Sequence, residues 1–186
     1  MRMSSEDSNP AAIPTPGLDT QGDGRWMSMH NRFVADSKDK EPDVLFVGDS
    51  LVQLLQQFEV WRQLFSPLHA LNFGVGGDAT QHVLWRLTNG ELDHISPKVV
   101  GVLPRGKNHN PLREKNAQVN QLVQEALPAL PQTSYLDVDP GFVHSDGSIS
   151  HQDLYDYLHL SSHGYQAVCK PLLAAIKALL EAPREN

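Results

Sequence analysis

The sequence holds a single cysteine, Cys169, among 186 residues. That excludes an internal disulfide framework and a cysteine-based zinc site, and it fits a reducing, cytoplasmic compartment. No apolar run approaches the length needed to span a membrane. The polar, proline-rich stretch from Met1 to Gly22 lacks the apolar core of a secretory signal. Basic residues are in deficit, with 15 Lys plus Arg against 22 Asp plus Glu and a net charge of −7, so the basic face of a nucleic-acid binder is not expected. There is no internal repeat and no HExxH motif. What the chain does have is 40% hydrophobic and 20% charged residues, enough for one domain with a real core.

Residues 1–22, with Pro10, Pro14, Pro16 and Gly17 among polar neighbours, read as a flexible arm. Asp23 is placed to cap a helix over about 25–37, with Trp26, Met29, Phe33 and Val34 on one face. Val44 to Val47 reads as a buried parallel strand, and Leu51 to Phe58 as helical. Leu68 to Phe73 is a second strand, closed by Gly74-Val75-Gly76-Gly77-Asp78. A helix over about 80–88 should turn Val83, Leu84 and Leu87 inward and stop at Asn89-Gly90. A third strand is expected over 98–103, a helix over 112–127 with Leu112, Val119, Leu122 and Val123 inward, and a fourth strand over 134–138. The last helix, about 163–180, carries Tyr165, Val168, Cys169, Leu172, Leu173, Ile176 and Leu180 as its buried stripe. Strands alternating with helices predict an α/β fold with a parallel sheet, whose ligands sit at the carboxyl ends of the strands.

Three segments could carry chemistry there. In Gly48-Asp49-Ser50-Leu51 a serine at a strand-to-helix turn is either a nucleophile above the sheet edge or an ordinary N-cap. In Asp156-Tyr157-Leu158-His159 a carboxylate three residues before an imidazole can hold one ring nitrogen and leave the other to take a proton. The bland alternative is a surface ion pair. The glycine loop 74–78 fails the dinucleotide fingerprint, because Ala79 stands where the third glycine belongs. It can instead present backbone N–H groups to a substrate oxygen. The chain has nine histidines, but their spacings suit metal poorly. His159, His163 and Asp156 form the one conceivable mixed site. His69, His82, His94 and His144 read as surface or hydrogen-bonded structural residues.

Together, the Gly-Asp-Ser after the first strand, the glycine loop after the second and the late DxxH resemble the SGNH (GDSL-type) esterases. Asp23-Gly24-Arg25-Trp26-Met27-Ser28, Lys38-Asp39-Lys40-Glu41-Pro42, Leu64-Phe65-Ser66-Pro67-Leu68-His69-Ala70-Leu71-Asn72-Phe73-Gly74 and Gly141-Phe142-Val143-His144-Ser145-Asp146-Gly147 resemble, within them, the catalytic α subunits of type IB platelet-activating-factor acetylhydrolase. The match runs from about Gln21 to Leu180. It implies a three-layer αβα, flavodoxin-like fold. It implies Ser50 as nucleophile, His159 as general base and Asp156 as its orienting partner. Gly77 and Ser50 would supply oxyanion N–H groups, and Leu51 and Leu158 would narrow an acyl pocket that favours acetyl. The implied substrate is platelet-activating factor and related acetylated phospholipids, with no metal or organic cofactor. The implied partners are a second α subunit, in a homodimer or heterodimer, and a WD-repeat regulatory β subunit.

One departure stands out. The family has a third block, Gly-x-Asn at the end of the third strand, whose asparagine completes the oxyanion hole. Here Pro97-Lys98-Val99-Val100 runs straight into Gly101-Val102-Leu103-Pro104-Arg105-Gly106. The hydrolase domain, 23–182, is therefore expected to lack one βα unit after about Val100, on the order of 30 or more residues, leaving four strands instead of five. Asn108 lies in the later loop and does not take over the missing role. Losing one oxyanion donor costs about 2.7–4 kcal/mol in the transition state. Two readings follow: an esterase slowed by that loss, or a catalytically silent member that acts by association.

Overall fold

The computed structural model describes residues 9–40, 42–93, 99–100, 103–129 and 135–181. The chain divides into two compact units, Met1–Leu54 with Leu71–Ile95, and Leu55–Ala70 with Ser96–Asn186.

In the first unit, helix α1 spans Arg25–Asp39. Its cap is not Asp23, as expected, but Gly24, whose positive φ of 65° suits a residue without a Cβ. Asp23 instead accepts the Arg25 N–H at 3.0 Å. Strand β1, Val44–Gly48, is hydrogen-bonded to β2, Ala70–Gly74. β2 starts later than the apolar pattern predicts, because Ser66–Leu68 form a 3₁₀ turn that ends on His69 in the left-handed conformation. Phe33 of α1 stacks on Phe73 of β2, with ring centroids 4.5 Å apart. With Val75 they form a buried cluster, flanked by Trp26, Met29, Leu45, Val47 and Leu71. Each such buried side chain stabilises the unit by about 1.5–3 kcal/mol.

Short helix α2, Ser50–Leu55, follows β1. Helix α3 covers Thr80–Arg86 and runs into a π turn, Leu87–Glu91, broken at Asn89 and Gly90. The stop at Asn89-Gly90 is where the sequence puts it, but the inward face is not. Val83, Leu84 and Leu87 are only half-buried, and the residue α3 buries is Arg86. The expected arm, 1–22, is seen from residue 9. Thr15 donates its N–H to the Gln81 carbonyl at 3.1 Å, and the Thr80 hydroxyl donates to the Ala11 carbonyl at 3.2 Å.

In the second unit, β3, Val99–Val100, pairs in parallel with β4, Tyr135–Leu136, in register Val99 with Tyr135 and Val100 with Leu136. Of the other residues expected in these strands, 98, 101–102 and Ser134 lie outside the described residues, as does His94, while Leu103, Asp137 and Val138 are described and are not strand. The described strands thus form two two-stranded sheets. Helix α4, Pro111–Ala126, is capped by Asn110, whose side chain accepts the Leu112 N–H. Leu112 and Leu122, expected inward, are exposed, and α4 buries Asn116. Helix α5, Ser162–Glu181, buries Tyr165, Val168, Cys169 and Leu172 as expected, while Leu180 at its end is exposed. Tyr165 packs on Phe58, with centroids 4.7 Å apart. No helix among the described residues is long and apolar enough to cross a membrane.

Candidate active site

In the first unit the strand-to-helix turn is capped by Asp49. Its Oδ1 accepts the Leu51 N–H at 2.9 Å, and its carbonyl accepts the Gln53 N–H at 3.0 Å. Glycine is sterically required beside this turn. A Cβ on Gly74 would lie 2.2 Å from the Gln53 nitrogen, and one on Gly76 would lie 2.8 Å from Gln53 Oε1 and 4.0 Å from the Ser50 Cβ. The loop thus lies directly against α2, held by the Gly76 N–H donating to Gln53 Oε1 at 3.1 Å. Gly77 has a φ of 85°, with open space where a Cβ would point. Asn72 locks the other side: its Nδ2 donates to the Val52 carbonyl and its Oδ1 accepts the Gly74 N–H.

Beneath this turn lies a network that sequence reasoning missed. Arg86 is fully buried. Its Nε donates to Asp78 Oδ2 at 2.9 Å, and one terminal nitrogen donates to Glu91 Oε2 at 2.7 Å and to the Phe73 carbonyl at 3.0 Å. The other donates to the Gly48 carbonyl at 3.1 Å. The Trp26 indole N–H donates to Asp78 Oδ1 at 2.7 Å. His30 Nδ1 lies 2.9 Å from Glu91 Oε1. Burial pushes the Glu91 carboxyl above its usual range, against the opposing pull of Arg86 and His30. One signal could have exposed the network. Arg86 follows Val83 by three residues, on the very face of α3 that its apolar pattern assigns to the interior.

In the second unit, Asp156 and His159 share one tight turn. Asp156 Oδ2 lies 2.6 Å from His159 Nδ1, while Oδ1 accepts the N–H groups of His159 at 2.7 Å and Leu158 at 3.0 Å. Burial pushes the Asp156 carboxyl up, and the hydrogen bonds from His159 and Leu158 outweigh it, so the net shift is downward. The turn needs Tyr157 at a φ of 61°. It is pinned by the Tyr155 N–H to the His159 carbonyl, by the Leu154–Leu160 bridge and by the Gly106 N–H donating to the Tyr157 carbonyl at 2.7 Å. Leu154 and Leu160 are almost wholly buried. The His159 ring stacks on Tyr155. Arg113 braces the neighbouring loop by donating to the carbonyls of Arg105, Gly106, Lys107 and Gly147.

The mixed metal site does not assemble. His163 turns to Asp153 at 2.9 Å, while His159 turns to Asp156, and no group of three His, Cys, Asp or Glu among the described residues could hold a metal ion. Of the expected site residues, Ser50, Leu51 and Gly77 belong to the first unit and Asp156, Leu158 and His159 to the second.

The backbone resembles that of a protein from Streptococcus pneumonia described as a platelet activating factor. The TM-score is 0.65 at 20% identity, over 81% of this chain and 92% of that one. It also resembles a GDSL-like lipase from Bacteroides thetaiotaomicron, with a TM-score of 0.61 at 13% identity, over 81% and 98%. These likenesses define the class, a GDSL/SGNH-type α/β fold. No protein-family model matches the chain. Sequence relatives are much nearer. Platelet-activating factor acetylhydrolase IB subunit alpha1 of Homo sapiens is 57% identical, over 96% of this chain and 94% of its own length. Subunit alpha2 of Rattus norvegicus is 54% identical, over 99% and 97%. The chain belongs to the family of platelet-activating factor acetylhydrolase IB α subunits. The alpha1 alignment runs over 217 positions, more than the 186 residues here, so roughly 30 or more positions of that relative face no residue of this chain.

Proposed function

We propose that the chain is a serine carboxylic-ester hydrolase that removes the sn-2 acetyl group of platelet-activating factor and related acetylated phospholipids. The observation that carries this reading is the 57% identity to subunit alpha1 over 96% of the chain. The 2.6 Å pairing of Asp156 with His159 supports it. Ser50 Oγ attacks the acetyl carbonyl while His159 takes its proton, and Asp156 fixes the imidazole tautomer. The N–H groups of Ser50 and Gly77 hold the oxyanion, and Leu51 and Leu158 narrow the acyl pocket. The lyso-phospholipid leaves with the proton from His159, and water then releases acetate from the acetyl-enzyme. No metal or organic cofactor takes part.

In this reading residues 1–22 are an arm and 23–182 the hydrolase domain, a three-layer αβα fold with one parallel sheet. Its four strands reflect a missing βα unit after about Val100, to which the long alignment lends support. With that unit goes the Gly-x-Asn donor, so turnover is slowed by about 10²–10³. The protein works in the cytoplasm, pairs with itself or another α subunit, and binds a WD-repeat regulatory subunit. The lost donor also favours a second reading, a silent member that acts through those associations alone. A fluorophosphonate probe separates the two. It should label the folded chain at Ser50 and leave Ser50→Ala unlabelled. A cooperatively melting protein that takes no label would leave only the associative role.

A further inference from the structure

Asp78 of the glycine loop, Glu91 of the π turn, and His30 and Trp26 of α1 gather around Arg86, and the expected chemistry gives none of them a role. Burying an ionic cluster is a poor route to stability, since well-packed apolar residues of similar volume often serve as well or better. Its particular output is geometry. Arg86 bonds the Gly48 carbonyl, two residues before Ser50, at 3.1 Å, and the Phe73 carbonyl, just before the glycine loop, at 3.0 Å. It also bonds Asp78, at the far end of that loop, at 2.9 Å. Four of the five guanidinium N–H groups are placed by these bonds and the one to Glu91. The Gly48 carbonyl also accepts the Val75 N–H at 3.0 Å. One rigid fork thus reaches the strand end that carries Ser50 and both ends of the loop that carries Gly77.

We propose that Arg86 is a positioning residue, which ties the end of β1 to both ends of the 74–77 loop so that the Ser50 and Gly77 amides keep one fixed register. The proposal rests on the esterase reading for its catalytic consequence, but its structural core does not. Asp78 aims the fork from one side, itself held by the Trp26 indole, and Glu91 with His30 aims it from the other. A lysine would keep the charge and lose the fork.

Two variants of the full chain test this. Arg86→Lys removes the fork, and Trp26→Phe removes the indole hydrogen bond to Asp78 while keeping an aromatic ring against His30 and Trp85, a change mild enough to leave a folded protein. Amide hydrogen exchange should rise by about tenfold at 49–51 and 75–78 together, with α5 unchanged. Ser50 labelling and kcat should fall by about ten- to a hundredfold while KM holds, Arg86→Lys more than Trp26→Phe. Equal acceleration of exchange in α5, or none in the two segments, overturns the proposal. So does faster exchange with labelling unchanged, which leaves the esterase reading standing. If the unaltered chain takes no label at Ser50, the esterase reading fails, and exchange alone then decides whether Arg86 couples the two segments.

Discussion

A single carboxylate, Asp156, receives two backbone N–H groups and one imidazole within one turn. Those bonds favour its ionised form enough to outweigh burial, so its folded value lies below the ordinary one. The sign of the stability effect follows. Below the ordinary aspartate value of about 3.9 the unfolded chain binds the proton first. The contribution of Asp156 is therefore complete above that range and is lost as pH falls through the lower folded value. Asp156→Asn should flatten this part of the acid limb of a melting-temperature profile. At neutral pH, where the variant also forfeits that contribution in full, it should lower kcat by about 10⁴, because the amide favours the wrong imidazole tautomer. Steady-state kinetics on a folded Asp156→Asn sample would read this, and an unchanged kcat would refute the assigned role. The Asp156–His159 pair was legible in the sequence because its members lie three residues apart and one turn brings them together. The Arg86 network was not, because its partners come from positions 26 to 91 and only tertiary packing gathers them.

At the level of elements, apolar spacing placed the helices well and their neighbours poorly. α5 keeps its stripe because Tyr165, Val168, Cys169 and Leu172 recur at helical spacing and all find cover. On α4 the half-buried Val119 and Val123 share a face with the buried Asn116. Leu122 lies about 100° round the helix from Val123, and Leu112 sits in the first turn. Periodicity defines a face, whereas burial depends on what packs against it. The strands were found by their apolar runs, but their ends were set by backbone features without an apolar signature, such as the left-handed His69 before β2. The buried stripe of α5 also yields a probe. Burial raises the Cys169 thiol to about 12, so almost no thiolate exists near neutrality. A thiol reagent at pH 8 should leave the native chain unmodified and react once denaturant unfolds α5. Rapid labelling without denaturant would show that α5 does not hold its stripe buried in solution.

For the molecule as a whole, a relative's alignment some 30 or more positions longer than this chain can fill is the central physical fact. The resemblance assigns that stretch to the third strand's end, the Gly-x-Asn loop and a following helix, and places the junction at Val100. Among the described residues, Val99 and Val100, just before that junction, form a strand that pairs in parallel with Tyr135 and Leu136. On the proposed reading, loss of a βα unit there strips one donor from the chemistry and one covering helix from the sheet, and parallel sheets are rarely left uncovered. The two losses separate in one experiment. The corresponding segment of the subunit alpha1 relative is inserted after Val100, and the same chimera is made with its Gly-x-Asn asparagine changed to alanine. The full insert should raise both the melting temperature and kcat, the latter by about 10²–10³. The alanine form should keep the gain in melting temperature and lose most of the gain in kcat. If the two inserts give equal kcat, the missing asparagine was not what limits turnover. If neither raises the melting temperature, the junction at Val100 is not where the fold is short.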